Sequence, residues 1–181
     1  MPGPDGVGVA DRLGYRIPPP NRLQRGVHAV ASTRAGAWAF SRVAPHLDDL
    51  VGRLSKGRTS APALLAGLPV LDITTTGRRT GAPRRTHLIA VPTTGTLALL
   101  GTNFGQPATP AWVLNLEADP RLRVTFRGRT VEARARAASE AERASVLAES
   151  AHVYRGYLAY QSRITTRHLR IFLLAESSYD E

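Results

Sequence analysis

Four clusters of side chains in this 181-residue chain have types and spacings able to bind or transform a ligand. The densest is Thr74-Thr75-Thr76-Gly77-Arg78-Arg79-Thr80-Gly81-Ala82-Pro83-Arg84-Arg85, read as a loop between two strands. Its two glycines let the backbone turn tightly and approach a ligand closely. Four arginines within eight residues offer planar forks of donors that suit phosphate or carboxylate. A solvated hairpin tip in an arginine-rich protein would look the same. The run has neither the Gly-x4-Gly-Lys-Ser/Thr spacing of a P-loop nor a helix-opening Gly-x-Gly-x-x-Gly.

The second cluster is Thr102-Asn103-Phe104-Gly105, a hydroxyl and a carboxamide that also read as a plain turn after a strand. The third pairs Trp112 with Asn115, which share one helix face at a spacing of three. A tryptophan so placed also serves as a core anchor. The fourth is Tyr154, Tyr157 and Tyr160, followed by Gln161-Ser162. A tyrosine hydroxyl is protonated at neutral pH and can donate a hydrogen bond or a proton to developing negative charge. Only neighbouring pairs of the three can line one pocket, and an aromatic core patch with wet hydroxyls is the other reading.

Other chemistries find no residues to carry them. The chain has no cysteine, which excludes disulfides, thiol catalysis and zinc-thiolate sites. His28, His46, His87, His152 and His168 are far apart and lack the i, i+4 pairing of a helical zinc site, so no metal is expected. No Gly-x-Ser-x-Gly nucleophile elbow occurs.

The elements that must position these clusters follow from turn signals and periodicity. Residues 1–20 read as a disordered arm ending in Pro18-Pro19-Pro20. Residues 21–66 read as an N-terminal helical region, with Asn21 as cap, Pro45 as break and a second helix running to about Leu54. From residue 67 to 181 the texture is that of a β-domain. Strands are expected over Leu68–Thr76, Thr86–Val91 and Thr96–Thr102, with Thr94-Gly95 as a hairpin turn. Leu122, Val124 and Phe126 alternate with arginine and threonine, Gly128 turns the chain, and Val131, Ala133 and Ala135 alternate with charge: a half-buried antiparallel hairpin. A helix lies between Pro110 and Ala118. Ser139 with Glu142 forms a capping box for a helix to about His152, and Leu169–Ala175 closes the set as a strand. Strands in runs, without βαβ alternation, give an α+β class built on a barrel or sandwich and exclude a Rossmann sheet.

The net charge of +10 is almost wholly arginine, 23 residues against the single Lys56. It suits an anionic partner and equally follows from a GC-rich coding bias. No nucleic-acid-binding motif accompanies it, so no nucleic-acid partner is expected. The stretch Val27–Phe40 is interrupted by His28 and Arg34 and falls short of the ~20 apolar residues a span needs. No signal peptide is recognised. A cytoplasmic location follows as the expectation, with Arg22, Arg25 and Arg34 available for peripheral contact with anionic membrane.

Taken in order, Thr-Thr-x-Gly-Arg-x-Thr-Gly-x-Pro-Arg between two strands, then Thr102-Asn103-Phe104-Gly105, then Pro110-Ala111-Trp112-x-Leu114-Asn115-Leu116-x-Ala118-x-Pro120, resembles the deazaflavin-dependent nitroreductase and quinone reductase family. The resemblance covers about residues 38–176. It implies a split antiparallel β-barrel of the flavin-reductase kind that binds coenzyme F420, an 8-hydroxy-5-deazaflavin with an anionic phosphodiester and glutamate tail. FMN, or no cofactor, stands as the alternative. The implied reaction passes a hydride from the reduced coenzyme to an electron-poor small molecule: an activated C=C, quinone, imine or nitro group. A non-catalytic barrel holding a lipid or other apolar ligand is the rival reading.

Carried over residue by residue, Arg78, Arg79 and Arg84 would meet the phosphate and tail while Thr80 and Gly81 shape the turn. Thr86, Thr102, Asn103 and the amides of Ala111 and Trp112 complete the implied cofactor contacts. The best-known branch of the family reads Ser-Lys-Gly-Gly where this chain has Thr102-Asn103-Phe104-Gly105, so the acceptor pocket is expected to differ. The tyrosine segment resembles the family's substrate side. Tyr157, with Tyr154, Tyr160 or Thr102 as alternatives, would stabilise or protonate the reduced acceptor. A homodimer is among the expected assemblies.

Overall fold

The computed structural model describes residues 8–18, 33, 35, 68–103, 106–153, 157, 161–162, 164–165 and 167–177. In chain order these include α1 (Val9–Leu13), β1 (Leu71–Thr76), β2 (Pro83–Leu88), β3 (Val91–Thr93) and β4 (Thr96–Leu100). There follow α2 (Ala111–Ala118), β5 (Arg121–Phe126), β6 (Arg129–Ala137), α3 (Glu140–Val153) and β7 (Ile171–Glu176). The expected helices of the 21–66 region lie outside the described residues.

The seven strands form one sheet in the order β2-β1-β5-β6-β7-β4-β3, antiparallel throughout. Its two edge strands, β2 and β3, are separated in the chain only by Ile89 and Ala90. Laid flat, six interstrand spacings of about 4.8 Å would hold those edges roughly 29 Å apart. The three Cα steps from Leu88 to Val91 reach about 11 Å at most. The sheet must therefore curl until its edges meet, and β2 and β3 become the two halves of one bent strand. This is the split barrel of the α+β class.

The barrel's filling follows the period of two. Leu71, Ile73 and Thr75 of β1 point inward, as do Leu122, Val124 and Phe126 of β5 and Ala133 and Ala135 of β6. The outward partners carry arginine, threonine and glutamate. Ile73, Leu97, Leu99, Val113 and Val124 are fully enclosed. Arg127 and Gly128 both take left-handed φ (47° and 82°), the conformation a tight two-residue hairpin needs to match strand twist. The capping box at α3 forms as expected: Ser139 N–H donates to Glu142 Oε2 at 2.8 Å and Glu142 N–H to Ser139 Oγ at 3.4 Å.

Three expectations are corrected. The stretch 86–91 is not one strand, because the chain changes partner at Ile89–Ala90, leaving β1 and joining β4. The arginine-rich run is not a loop over 74–85: residues 74–76 and 83–85 belong to β1 and β2, and only 77–82 form the turn. Residues 8–18, assigned to a disordered arm, pack into the barrel through Val9, Leu13 and Tyr15, each nearly fully buried. A five-residue helix among glycines and prolines is too short to show a period, which is why it escaped the sequence.

Tyr15 anchors this segment at the seam. Its hydroxyl donates to Pro69 O at 2.9 Å and accepts the Ala90 N–H at 3.1 Å. Burial pushes its pKa up, so it stays a neutral donor.

Following strand directions through the antiparallel order sorts the connections to two ends. The β1–β2 turn, the end of β4, the start of β5 and the start of β7 share one end. The β3–β4 and β5–β6 turns share the other.

Candidate active site at one end of the barrel

The arginine turn is tightly built. Gly77 N–H donates to Ala82 O at 2.8 Å, and the amides of Thr80 and Gly81 both reach Gly77 O, at 3.1 and 2.7 Å. A Cβ on Gly77 would sit 2.9 Å from Ala82 O, and Gly81 holds a φ of +68°. These are the two places where glycine is required.

Register then sorts the arginines. Arg84 lies opposite Thr75, which is buried, and Thr86 lies opposite the enclosed Ile73. Directly paired residues share a face, so Arg84 and Thr86 belong to the barrel's inner side, with Arg84 at its mouth. Arg85 lies opposite Thr74 on the outer side and pairs with Asp72, which His87 also contacts. Burial alone would raise the Asp72 carboxyl, but the hydrogen bonds and charges of His87 and Arg85 hold it below the ordinary carboxylate range.

Asn115 ties helix to turn. Its buried carboxamide accepts the Arg78 N–H at 3.1 Å and donates from Nδ2 to Thr75 Oγ1 at 3.0 Å. Thr75 Oγ1 in turn donates to Arg84 O at 3.4 Å. One side chain of α2 thus fixes the backbone at both Arg78 and, through Thr75, Arg84. The Asn115 signal was visible as a polar residue on the same helix face as Trp112, but its partners were not. Trp112 packs against Phe172, ring centroids 6.1 Å apart, and is part of the core. Ala111 and Trp112 open α2, where the first amides of a helix have no intrahelical acceptors.

The second turn stands at the same end. Thr102 is buried, and Asn103 takes a left-handed φ of 46°, which asparagine tolerates better than most residues. Asn103 Nδ2 donates to Ala108 O at 3.0 Å, and Gln106 N–H to Asn103 O at 2.9 Å. Arg167, which the sequence did not single out, donates to Gly101 O, Thr102 O and Gln106 O at 2.9 to 3.3 Å. In an arginine-rich chain nothing in its surroundings marks it.

Tyr157 is buried, and its hydroxyl donates to Ile89 O at 3.1 Å, on the β2–β3 link next to the residue that Tyr15 holds. Tyr154, Tyr160, Phe104 and Gly105 lie outside the described residues.

Electrostatically, the turn stands out as a cluster of cations. Among the described residues, Arg78, Arg79 and Arg84 make no ion pair with a carboxylate, as is also true of Arg127, Arg129 and Arg134, whereas Arg85, Arg121, Arg123, Arg136 and Arg170 each do. Among the described residues, the Arg84 guanidinium meets only the Thr80 hydroxyl, at 3.4 Å. Three exposed guanidinium groups held on a braced turn without counter-ions form a donor set suited to a multiply anionic ligand. No group of three or more metal-ligating side chains is present among the described residues. None of their helices is long and apolar enough to cross a membrane.

A cavity of about 620 Å³ lies at the opposite end, lined by Tyr15, Ile17, Pro92, Glu149 and His152 among others. It shares no residue with the arginine turn. The clustered arginines, the Thr102–Asn103 turn and the start of α2 gather instead at the arginine end.

A split barrel with three exposed arginines on a braced turn at its mouth suits a cofactor-binding oxidoreductase. The chain belongs to the F420H(2)-dependent quinone reductase family, whose pattern matches residues 51–176. It is similar to the solved F420-H2 dependent reductase FDR-A, with 28% identity over 59% of this chain and 93% of that one and a TM-score of 0.54. A domain-swapped dimer is similar in fold at 24% identity, covering 70% of this chain and 94% of that one with a TM-score of 0.55. The protein Atu2129 of Agrobacterium tumefaciens, of unknown function, shares the fold at 18% identity, 61% and 49% coverage and a TM-score of 0.50. Coenzyme F420 is the cofactor that family membership gives, and the donor set at the turn fits its anionic phosphodiester and tail.

Proposed function

We propose that Arg78, Arg79 and Arg84 bind the phosphodiester and glutamate tail of coenzyme F420, so that the deazaflavin is presented to the Thr102–Asn103 turn and the start of α2. The observation that carries this reading is the absence of carboxylate partners for these three arginines among the described residues, on a turn that Asn115 and Thr75 hold rigid. When bound, the reduced coenzyme supplies a hydride. The chain's task is to bind, orient and polarise.

Each part of the site has a share in that task. Gly77 and Gly81 let the turn's backbone close on the ligand, and Thr80 steadies Arg84. The Ala111 and Trp112 amides offer donors at a helix start, where negative charge is favoured. Thr102 offers a hydroxyl, and Asn103 a backbone amide, to the acceptor. Hydride addition to a quinone leaves negative charge on oxygen, which hydroxyl and amide donors stabilise until a proton arrives. Thr102, with Tyr154 and Tyr160 as alternatives, is the hydroxyl donor in this reading, since the Tyr157 hydroxyl is committed to Ile89 O. Electron-poor C=C, imine and nitro groups belong to the same acceptor class as a quinone.

Deazaflavin fluorescence tests the reading directly. Titrating the protein should quench or shift the fluorescence of added F420 and leave FMN free. The Arg78→Ala/Arg84→Ala variant should lose that response while keeping its melting curve. Unchanged affinity in a folded double variant would remove the turn from the cofactor site.

Homodimer assembly is supported by the similar domain-swapped dimer, and light scattering of the purified protein tests it. Peripheral membrane contact through Arg22, Arg25 and Arg34, which lie outside the described residues, is tested by flotation with anionic liposomes at low salt. The expected result is co-migration that high salt abolishes.

A further inference from the structure

We propose that Arg167 is a positioning residue for hydride transfer: its guanidinium holds the carbonyls of Gly101, Thr102 and Gln106 and aims the Asn103 N–H and Thr102 hydroxyl at the charge developing on the acceptor. The proposal rests on the reading that the Thr102–Asn103 turn faces the bound deazaflavin and acceptor.

The geometry is specific. Nη1 donates to Gly101 O at 2.9 Å, Nη2 to Thr102 O at 3.0 Å, and Nε and Nη2 to Gln106 O at 3.3 and 3.2 Å. A planar fork of five donors holds three carbonyls of one turn in fixed directions, which the freely rotating three donors of an ammonium do not. The neighbouring Arg170 is neutralised by Glu117 at 2.9 Å. Arg167 has no carboxylate partner among the described residues, so its charge is held by backbone dipoles alone. Burial, with Arg170 nearby, lowers its pKa from the usual arginine value, and a guanidinium stays charged at neutral pH.

The consequence runs through one peptide bond. In a planar trans peptide the carbonyl and the following N–H point in opposite directions. Because Thr102 O points at Arg167, the Asn103 N–H points away from it. No acceptor among the described residues takes that N–H, whereas the Thr102 N–H is already bonded to Leu100 O at 2.9 Å. A carbonyl that accepts a bond from a cation makes its own peptide N–H a stronger donor. Arg167 therefore sharpens and directs a donor without touching the reacting atoms. The left-handed φ of Asn103 completes the turn that presents it.

The test uses the full chain with reduced F420 and a quinone acceptor. Arg167→Gln should lower kcat about ten- to a hundredfold, the loss expected for misplaced or weakened transition-state donors, with deazaflavin affinity and quinone KM within about twofold. Arg167→Lys, which keeps the charge but not the fork, should recover little. Arg167→Ala should regain part of its rate when a guanidinium salt is added below denaturing concentration, a rescue that a generally loosened fold would not show. Hydrogen exchange of the wild type gives a reading independent of turnover and of any variant's folding. The Asn103 amide should exchange readily in the free protein and slow when coenzyme and a quinone analogue are bound.

Unaltered Asn103 exchange, or kcat unchanged in folded Arg167→Gln, overturns the proposal. Thr102→Val separates the two layers of the argument. If Thr102→Val slows turnover and Arg167→Gln does not, the role of Arg167 alone fails. If neither variant slows turnover, the placement of the turn in the site fails with it.

Discussion

On β2, Arg85 turns to the outer sheet face and meets Asp72, whereas Arg84, one residue earlier, turns to the inner side beside Thr75 and, among the described residues, meets only a threonine hydroxyl. The same contrast separates the turn from most outer-face arginines, with Arg134 on β6 the exception. On the outer face and its margins, Arg121 pairs with Asp119, Arg123 with Glu132 and Arg136 with Glu142. At the arginine turn, Arg78 and Arg79 have no such partner among the described residues. Exposed ion pairs contribute little, typically about 0–1 kcal/mol, and leave little field beyond themselves. Cations braced on a turn without counter-ions keep their potential for a ligand. A strand's period of two is enough to send adjacent arginines to these different fates.

The sharpest way to break this comparison is to neutralise both sets. Arg78→Ala/Arg84→Ala removes two charge-assisted contacts of about 1.5–3 kcal/mol each, so deazaflavin affinity should fall roughly 10²–10⁴-fold. Arg121→Ala/Arg123→Ala removes the same formal charge from the outer face and should change affinity by less than about threefold at physiological salt. Equal losses in the two variants, measured by fluorescence titration, would mean that net charge alone attracts the coenzyme.

A second prediction concerns what holds the turn. Asn115→Leu fills most of the space but leaves the Arg78 N–H and Thr75 Oγ1 without their partner, at about 1–3 kcal/mol for each group left unpaired. Chemical denaturation should show that loss, and deazaflavin affinity should drop about tenfold as the turn loosens. Full affinity in a destabilised Asn115→Leu protein would show that the turn keeps its shape without the helix.

Tyr157 brings a different contrast, between the seam and the mouth. The sequence suggested an acid at this position, while the hydroxyl is bonded to Ile89 O on the link that closes the barrel. Tyr157→Phe leaves that carbonyl without its donor, so stability should fall by about 1–2 kcal/mol, or roughly 2–8 °C in Tm for a chain of this size. Turnover of the folded fraction should stay within about threefold. A loss of 10²-fold or more with Tm unchanged would instead assign Tyr157 the proton-donor role.

Much of this arrangement was legible in the residues, and the gaps have physical causes. The 122–135 hairpin, the Ser139–Glu142 cap and the helix after Pro110 are local: period, cap and turn chemistry lie within a few residues of one another. Ile89–Ala90 reads as continuous strand because Leu88-Ile89-Ala90-Val91 is an unbroken apolar run with no turn residue. What ends the pairing there is barrel closure, a constraint between edges that no window contains. The packing of Val9, Leu13 and Tyr15 is likewise a long-range event, with Tyr15 bonded to residues 54 and 75 positions away. Within the site, the arginine turn was visible from composition and glycine spacing. Asn115 and Arg167 act by reaching backbone groups 37 and 61 to 66 residues distant, and only the fold reveals them.

The smallest expected effect belongs to the outer-face pairs and follows from their titration. Hydrogen bonding from Arg121 lowers the Asp119 carboxyl to about 2, and Arg136 with the Ser139 cap lowers Glu142 to about 2. A carboxylate whose folded pKa lies below its unfolded value binds fewer protons when folded. Its stabilisation is complete above the ordinary pKa of about 4 and is lost as pH falls through the folded value. Melting temperature should therefore be nearly flat from neutral pH to about 5 and decline between about 4 and 2. Asp119→Asn keeps an acceptor for the Thr76 hydroxyl but ends the titration, so the acid slope should flatten while Tm at neutral pH moves by no more than about 2–4 °C. High salt should weaken both effects, since these pairs are exposed. Deazaflavin affinity at neutral pH should not change in Asp119→Asn. A matching loss of affinity would show that the paired outer face and the unpaired turn act on the ligand together, and the division drawn between them would fall.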